Sequence, residues 1–222
     1  YEFENIPMSS ITLLNDIRSI RPSPSILEIS QHRGKEKEFA VQHGVNVAPY
    51  KIIKQLSDLE SAIITIGTPS VLKTCRFGYD GKGQIVINEP EEIYSAWNQL
   101  SSDDLVLEQF VAFEKEISII IARNTNHKIK AYPAAENNHV NHILDTTRVP
   151  ADITDKTASM AADIGLKLAE SMDLIGLLAV EMFVMGDGTV VMNEIAPRPH
   201  NSGHWTQDGA QTSQFDQFVR AI

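Results

Sequence analysis

Apolar and polar positions in this chain follow two periods. Residues 8–20 and 25–43 carry helix-type spacing, with Pro22 and Pro24 between them as a linker. The second segment sets Glu28, Arg33, Lys35, Glu36, Lys37 and Glu38 on a polar face. Ser57-Asp58-Leu59-Glu60 reads as a capping box that opens a short helix ending near Gly67. Ile153 to Met172 is the clearest helix, with Ala158, Ala161, Ile164, Leu168 and Met172 on one face. Strand-type runs occupy Val71 to Thr74, Ile85-Val86-Ile87, and residues 105–111, 115–123 and 128–135. A further strand starts at Leu177, turns at Gly186-Asp187-Gly188 and returns through Val190-Val191-Met192. Strands outnumber helices and pair locally, which predicts an α+β domain of antiparallel sheets with flanking helices rather than a doubly wound parallel sheet.

The last hairpin carries a charge problem. With Asp187-Gly188 as a two-residue turn, counting outward sets Glu181 directly opposite Glu194 in an otherwise apolar pair of strands. Opposed carboxylates destabilise such a hairpin unless a divalent cation bridges them, and an oxygen-only ligand set favours Mg²⁺, Mn²⁺ or Ca²⁺. A solvated edge hairpin would also accommodate both glutamates. Immediately after it, Asn193 through Thr206 packs a carboxylate, amides, a guanidinium, two imidazoles and an indole onto a strand end, where an α/β protein builds sites.

Phe77-Gly78-Tyr79-Asp80-Gly81-Lys82-Gly83-Gln84 is the second candidate. Its glycines allow close approach of backbone N–H groups to an anion, and Lys73 on the preceding strand is a sensible phosphate clamp. A plain hairpin turn with a solvated Lys82 fits the same residues. The spacing matches neither a Walker nor a dinucleotide-binding loop. Glu108-Gln109-Phe110-Val111 and Glu116 read equally well as strand-end polar groups.

Composition narrows the field. A formal charge of −10 and a pI near 5.1 exclude an extended nucleic-acid surface, so an anionic substrate must be met by local cations. The single Cys75 excludes an intramolecular disulfide and fits a reducing compartment. No apolar run approaches the roughly 18–20 residues of a membrane span, and the N-terminus has no signal pattern, which points to the cytoplasm.

These residues carry a resemblance. Tyr1-Glu2-Phe3-Glu4-Asn5, Lys73-Thr74, Gly78 to Gln84, Glu136-Asn137-Asn138-His139 and Asn193 to Thr206 are similar to the motifs of the N5-carboxyaminoimidazole ribonucleotide synthases, ATP-grasp carbon–nitrogen ligases of purine biosynthesis. The resemblance implies an ATP-grasp fold over residues 31–222, a remnant of a preceding domain and linker over 1–30, and the absence of a small C-terminal domain. It implies ATP contacts at Arg33, Lys73, Gly78, Tyr79, Asp80, Gly81, Lys82, Gly83, Gln84, Glu108, Gln109, Phe110, Val111, Glu116, His139, Asn193 and Glu194. Lys73 and the loop would hold phosphates, residues 108–111 the adenine, and Glu116 the ribose. Glu181 and Glu194 would ligate Mg²⁺, while Arg198, His200 and Asn201, with Tyr79 as a lid, would face aminoimidazole ribonucleotide and bicarbonate. Arg198 and His200 would serve the chemistry, and relatives are commonly homodimers. Cys75 and Pro199 depart from the usual pattern, which has a basic and an aliphatic residue there. Another ATP-grasp ligase, or a non-catalytic ATP-binding module, would share much of this set.

Overall fold

The structure, a computed structural model, describes residues 5–78, 82–100 and 102–222. Helix α1 (Met8–Ile17) leads to α2 (Pro24–Ser30) and α3 (Arg33–Gln42), so the long helix predicted over 25–43 is broken. The break lies at Gln31-His32, where the His32 side chain leaves the helix to accept the backbone N–H groups of Gly34 and Lys35 as an N-cap. The expected polar face is also divided: Arg33, Glu36, Lys37 and Ala40 share a stripe at i, i+3, i+4 and i+7, and the last three of these are buried.

A four-stranded antiparallel sheet follows, built from β1 (Tyr50–Ile53), β2 (Ser70–Thr74), β3 (Gln84–Ile87) and β4 (Leu105–Gln109) in the order β1-β4-β2-β3. Helices α4 (Leu56–Ile66) and α5 (Ile93–Leu100) cover one face of it around Leu59, Ile63, Leu72, Ile87 and Leu107. The capping box of α4 is real but sits two positions early: Gln55 and Asp58 exchange the capping bonds, because Leu56 already starts the helix.

Residues 110–114 cross to a six-stranded antiparallel sheet. It comprises β5 (Lys115–Arg123), β6 (Ile129–Ala131), β7 (Ala135–Val140), β8 (Ile143–Arg148), β9 (Gly176–Val184) and β10 (Val190–Ala196), ordered β10-β9-β5-β7-β8 with β6 beside β5. The strand predicted over 128–135 is thus two strands separated at Tyr132-Pro133-Ala134, and the one predicted over 105–111 ends at Gln109. Helix α6 (Asp155–Ser171), capped by Thr154, packs across this sheet. Its Gly165 lies so close to β5 that a Cβ would fall 2.9 Å from Ile121, which brings the helix down on Ile119, Ile121, Val180 and Met182. Short α7 (Thr206–Gly209) and α8 (Gln214–Ala221) follow β10, with Phe218 packed near Ala179 and Leu177 on the other face.

The β9–β10 hairpin departs from the two-residue turn. Val184 pairs with Val190, leaving Gly186, Asp187 and Gly188 in the bend, with Gly188 at φ +80°. A β-bulge at Asn193 then adds one residue to β10, so Glu194 does lie opposite Glu181. The longer turn and the bulge offset each other. Without the bulge, the alternation that buries Val190 and Met192 against α6 would carry Glu194 into the same core; with it, Ile195 enters the core and Glu194 joins the opposite face.

Candidate active site

The face of the large sheet turned away from α6 carries a polar row. Ser118 on β5 pairs with Glu181 on β9, which pairs with Glu194 on β10. Arg33, at the first position of α3, places Nη1 2.8 Å from Glu194 Oε2. Burial and the charge of Glu194 push the Glu181 carboxyl up to about 8, whereas at Glu194 burial is outweighed by Arg33 together with Lys73 and His200, which hold its pKa down. Of the two directly opposed carboxylates, Glu181 therefore holds a proton more readily than Glu194.

The small sheet contributes the second half. Glu108 on β4 is buried and receives Lys73 from β2 at 3.0 Å and Lys37 from α3 at 3.2 Å, both on Oε2. Burial alone would raise its pKa, but Lys37 and Lys73 bring it down to about 2. Its other oxygen, Oε1, is buried without a hydrogen-bond partner among the described residues. Burial lowers the pKa of Lys73. Lys37 also lies 3.4 Å from the carbonyl of the bulged Asn193, tying α3 to β10. Glu36 accepts the backbone N–H of Ile195, and burial followed by Glu194 pushes its carboxyl up to about 8.

Beyond β10 the chain bends over the row. His200 sets Nε2 3.3 Å from Glu181 Oε1, and its Nδ1 takes the Ser202 N–H at 3.3 Å and contacts Ser202 Oγ at 2.9 Å. Ser118 Oγ donates to Ser202 Oγ at 2.7 Å. Since Nδ1 accepts, the proton of this imidazole stands on Nε2 and points at Glu181. Burial and Arg198 push the His200 pKa down to about 4, so the ring is neutral near pH 7. Gln214 holds the loop by donating to the His200 carbonyl and accepting its N–H. Arg198 is half-buried, donates to the Pro199 carbonyl at 3.0 Å, and stands near enough to Glu181 to oppose the rise in its pKa.

Arg33, Lys73, Glu108, Asn193, Glu194, Glu181, Arg198 and His200 therefore converge. Gly78 lies beside the Arg33 guanidinium, and Gly83 returns the loop at φ +72°, where a Cβ would meet Thr74 Oγ1 at 2.6 Å. Tyr79, Asp80 and Gly81 lie outside the described residues. Lys82 is exposed, Gln84 starts β3, and Gln109, Phe110 and Val111 lead out of β4 toward the crossing between the sheets. Glu116 and His139 are joined at 2.5 Å, an interaction that raises the His139 pKa. Asn201 is exposed on a 3₁₀ turn, His204 stacks on Phe215, and Trp205 packs edge-on against Tyr132 at 6.1 Å. Sequence reasoning missed Lys37, Glu36, Ser118 and Ser202. The helical spacing of 33, 36 and 37 with Ala40, and a lone serine inside Ile117-Ser118-Ile119, were the available signals.

Two antiparallel sheets closing a charged site between them define the class. Residues 38–215 match the ATP-grasp domain, and the chain belongs to the ATP-grasp family. Within it, the chain is similar to the N5-carboxyaminoimidazole ribonucleotide synthase of Bacillus subtilis (strain 168), with 45% identity over 222 residues, covering 100% of this chain and 58% of that relative. The ADP complex of an N5-carboxyaminoimidazole ribonucleotide synthetase superposes with a TM-score of 0.96 at 42% identity, over 100% of this chain and 59% of the other. The Aspergillus clavatus N5-carboxyaminoimidazole synthase in complex with ADP and aminoimidazole ribonucleotide gives a TM-score of 0.92 at 26% identity, with coverage of 100% and 58%. The chain thus spans less than two thirds of the length of these relatives.

Proposed function

We propose that the protein containing this chain couples ATP hydrolysis to the carboxylation of aminoimidazole ribonucleotide by bicarbonate. The observation that carries the reading is the opposed Glu181–Glu194 pair, flanked by Arg33 on one side and by His200 and Arg198 on the other. This donor set fits a divalent cation: two adjacent oxygen ligands, one with a pKa pushed up by burial and by the charge of the other. Mg²⁺, or Mn²⁺, held by Glu181 and Glu194 would supply charge neutralisation to the β- and γ-phosphates.

The residues of this chain then divide the work. Lys73, Arg33 and the backbone of the glycine loop bind phosphate oxygens, residues 108–111 hold the adenine, and Glu116 with His139 beside it meets the ribose. Asn193 borders the phosphates from the bulge. A bicarbonate oxygen attacks the γ-phosphorus, releasing ADP and forming carboxyphosphate. The 5-amino group of the ribonucleotide then takes the carboxyl carbon, directly or as CO₂, and phosphate leaves. Arg198 faces the charge that develops on the transferring group, a role suited to a guanidinium fixed next to carboxylates. His200 acts as a donor through Nε2–H rather than as a base, because Ser202 occupies Nδ1. Asn201, exposed beside it, and Tyr79 contact the ribonucleotide.

On the same reading residues 1–30 go with a preceding domain, residues 31–222 form the ATP-grasp domain, and the full-length protein is cytoplasmic and a homodimer, the dimeric mass being checked by static light scattering. The central experiment is ADP release by the full-length protein with Mg·ATP. Release that requires both aminoimidazole ribonucleotide and bicarbonate supports the reading; release indifferent to either sinks it.

A further inference from the structure

His32, Cys75 and Asp104 form a second cluster, at the N-terminus of α3. His32 Nε2 lies 3.1 Å from Asp104 Oδ2, and these atoms and Cys75 Sγ fall within 4.8 Å of one another. An imidazole, a thiol and a carboxylate at that separation are a ligand set for a soft divalent cation. The hydrogen bonds decide against that reading. His32 Nδ1 accepts the N–H groups of Gly34 at 3.1 Å and Lys35 at 3.3 Å, which leaves the ring proton on Nε2, aimed at Asp104. Burial, then Asp104, pushes the Cys75 thiol up to about 12, so it keeps its proton and hydrogen-bonds the same carboxylate. Lys54 fills the other oxygen, Oδ1, at 2.6 Å. Protons therefore stand where a cation would need lone pairs, and Asp104 is the common acceptor.

The backbone repeats the connection. The Arg33 N–H donates to the Cys75 carbonyl at 2.9 Å, and the Cys75 N–H donates to the Asp104 carbonyl at 2.9 Å. One node thus joins the N-terminus of α3, the end of β2 and the residue before β4, the three elements that carry Arg33 and Lys37, Lys73, and Glu108. We propose that His32 and Asp104 are positioning residues for Arg33: His32 caps α3 through one ring nitrogen and anchors it to Asp104 through the other, which aims the guanidinium between Glu194 and the glycine loop. This rests on the reading of Arg33 as a phosphate contact. Neither His32 nor Asp104 touches the ligand; both act through the helix start.

The test is a set of ATP dissociation constants measured by calorimetry on the full-length protein. His32→Ala and Asp104→Asn each weaken ATP roughly threefold to thirtyfold, the range of energetic coupling through a packed network. Both effects vanish when Arg33 is already alanine, because a residue that acts through Arg33 has nothing left to position. His32→Asn keeps a capping oxygen but does not reach Asp104, so it holds Tm close to wild type while still weakening ATP. Full affinity in His32→Asn overturns the share given to Asp104. Equal losses with and without Arg33 overturn the positioning role, as does unchanged affinity in His32→Ala and Asp104→Asn while Arg33→Ala weakens ATP. Wild-type protein that binds no ATP, or an Arg33→Ala variant with unchanged affinity, overturns the site reading instead. Saturable Zn²⁺ uptake abolished by Cys75→Ser would replace the proton node with a metal site.

Discussion

Glu36 is a carboxyl with almost no access to water, and its surroundings favour the protonated form up to a pH of about 8. The unfolded chain releases that proton near pH 4.3. Between the two values the folded state holds a proton that the unfolded state has lost, so the contribution is full below pH 4.3 and declines as pH rises toward 8. Glu36→Gln, which keeps an oxygen for the Ile195 N–H, should flatten the fall of unfolding free energy with pH by up to about 1.4 kcal/mol per pH unit. Denaturant titrations at several values between pH 5 and 8 check this. On the proposed function, Glu194→Gln should abolish metal-dependent turnover with the fold intact, read by steady-state rates beside the circular dichroism spectrum. Arg198→Ala should keep ATP affinity and lower kcat by about 10²–10³-fold, the effect of removing one preorganised donor. The pairing of Glu181 with Glu194, and the polar turn that carries Arg198 and His200, were legible because opposed charges in an apolar hairpin and a dense polar strand end violate local expectation. Lys37 and Glu36 were hidden in a helix rich in charge, where a buried lysine looks like its solvated neighbours until the carboxylate across from it, Glu108 on β4, is known.

Among the elements, the glycine loop and the last hairpin show what local pattern can and cannot specify. Gly83 needs a positive φ and leaves no room for a side chain beside Thr74, whose N–H donates to the Gly83 carbonyl at 2.8 Å. Gly83→Ala should therefore cost about 1–2 kcal/mol from the left-handed conformation alone and weaken nucleotide binding, measured by denaturation and calorimetry on the same sample. In the hairpin, a two-residue turn with regular strands and a three-residue bend with a bulge place Glu194 opposite the same partner. Side-chain alternation does not separate these routes on its own; the burial of Val190, Met192 and Ile195 against one core does. The break before α3 was likewise invisible to periodicity, since His32, two residues past the end of α2, caps the next helix only by turning its ring back on the backbone.

At the scale of the molecule, each sheet has its own apolar core, and the candidate site draws lysines and a carboxylate from one and the opposed glutamates from the other. The smaller core, around Ile53, Leu59, Leu72 and Leu107, should open more readily, because less apolar surface is buried there. Amide hydrogen exchange is expected to be faster in β1–β4 than in β5 and β9, and Mg·ATP should slow it in the small sheet; uniform exchange across both sheets would contradict a two-core reading. Antiparallel pairing could be anticipated from hairpin-like spacing, whereas the order β1-β4-β2-β3 could not, as it depends on contacts between distant segments. The Arg33–Glu194 pair spans the groups assigned to phosphate and to cation. On the proposed function, loading the site is an exchange of counterions: Arg33 passes from carboxylate to phosphate as Glu194 passes from guanidinium to metal. Opening an internal pair as new pairs form leaves the local charge balance little altered, so ATP affinity should depend less on ionic strength than at a bare cationic cleft.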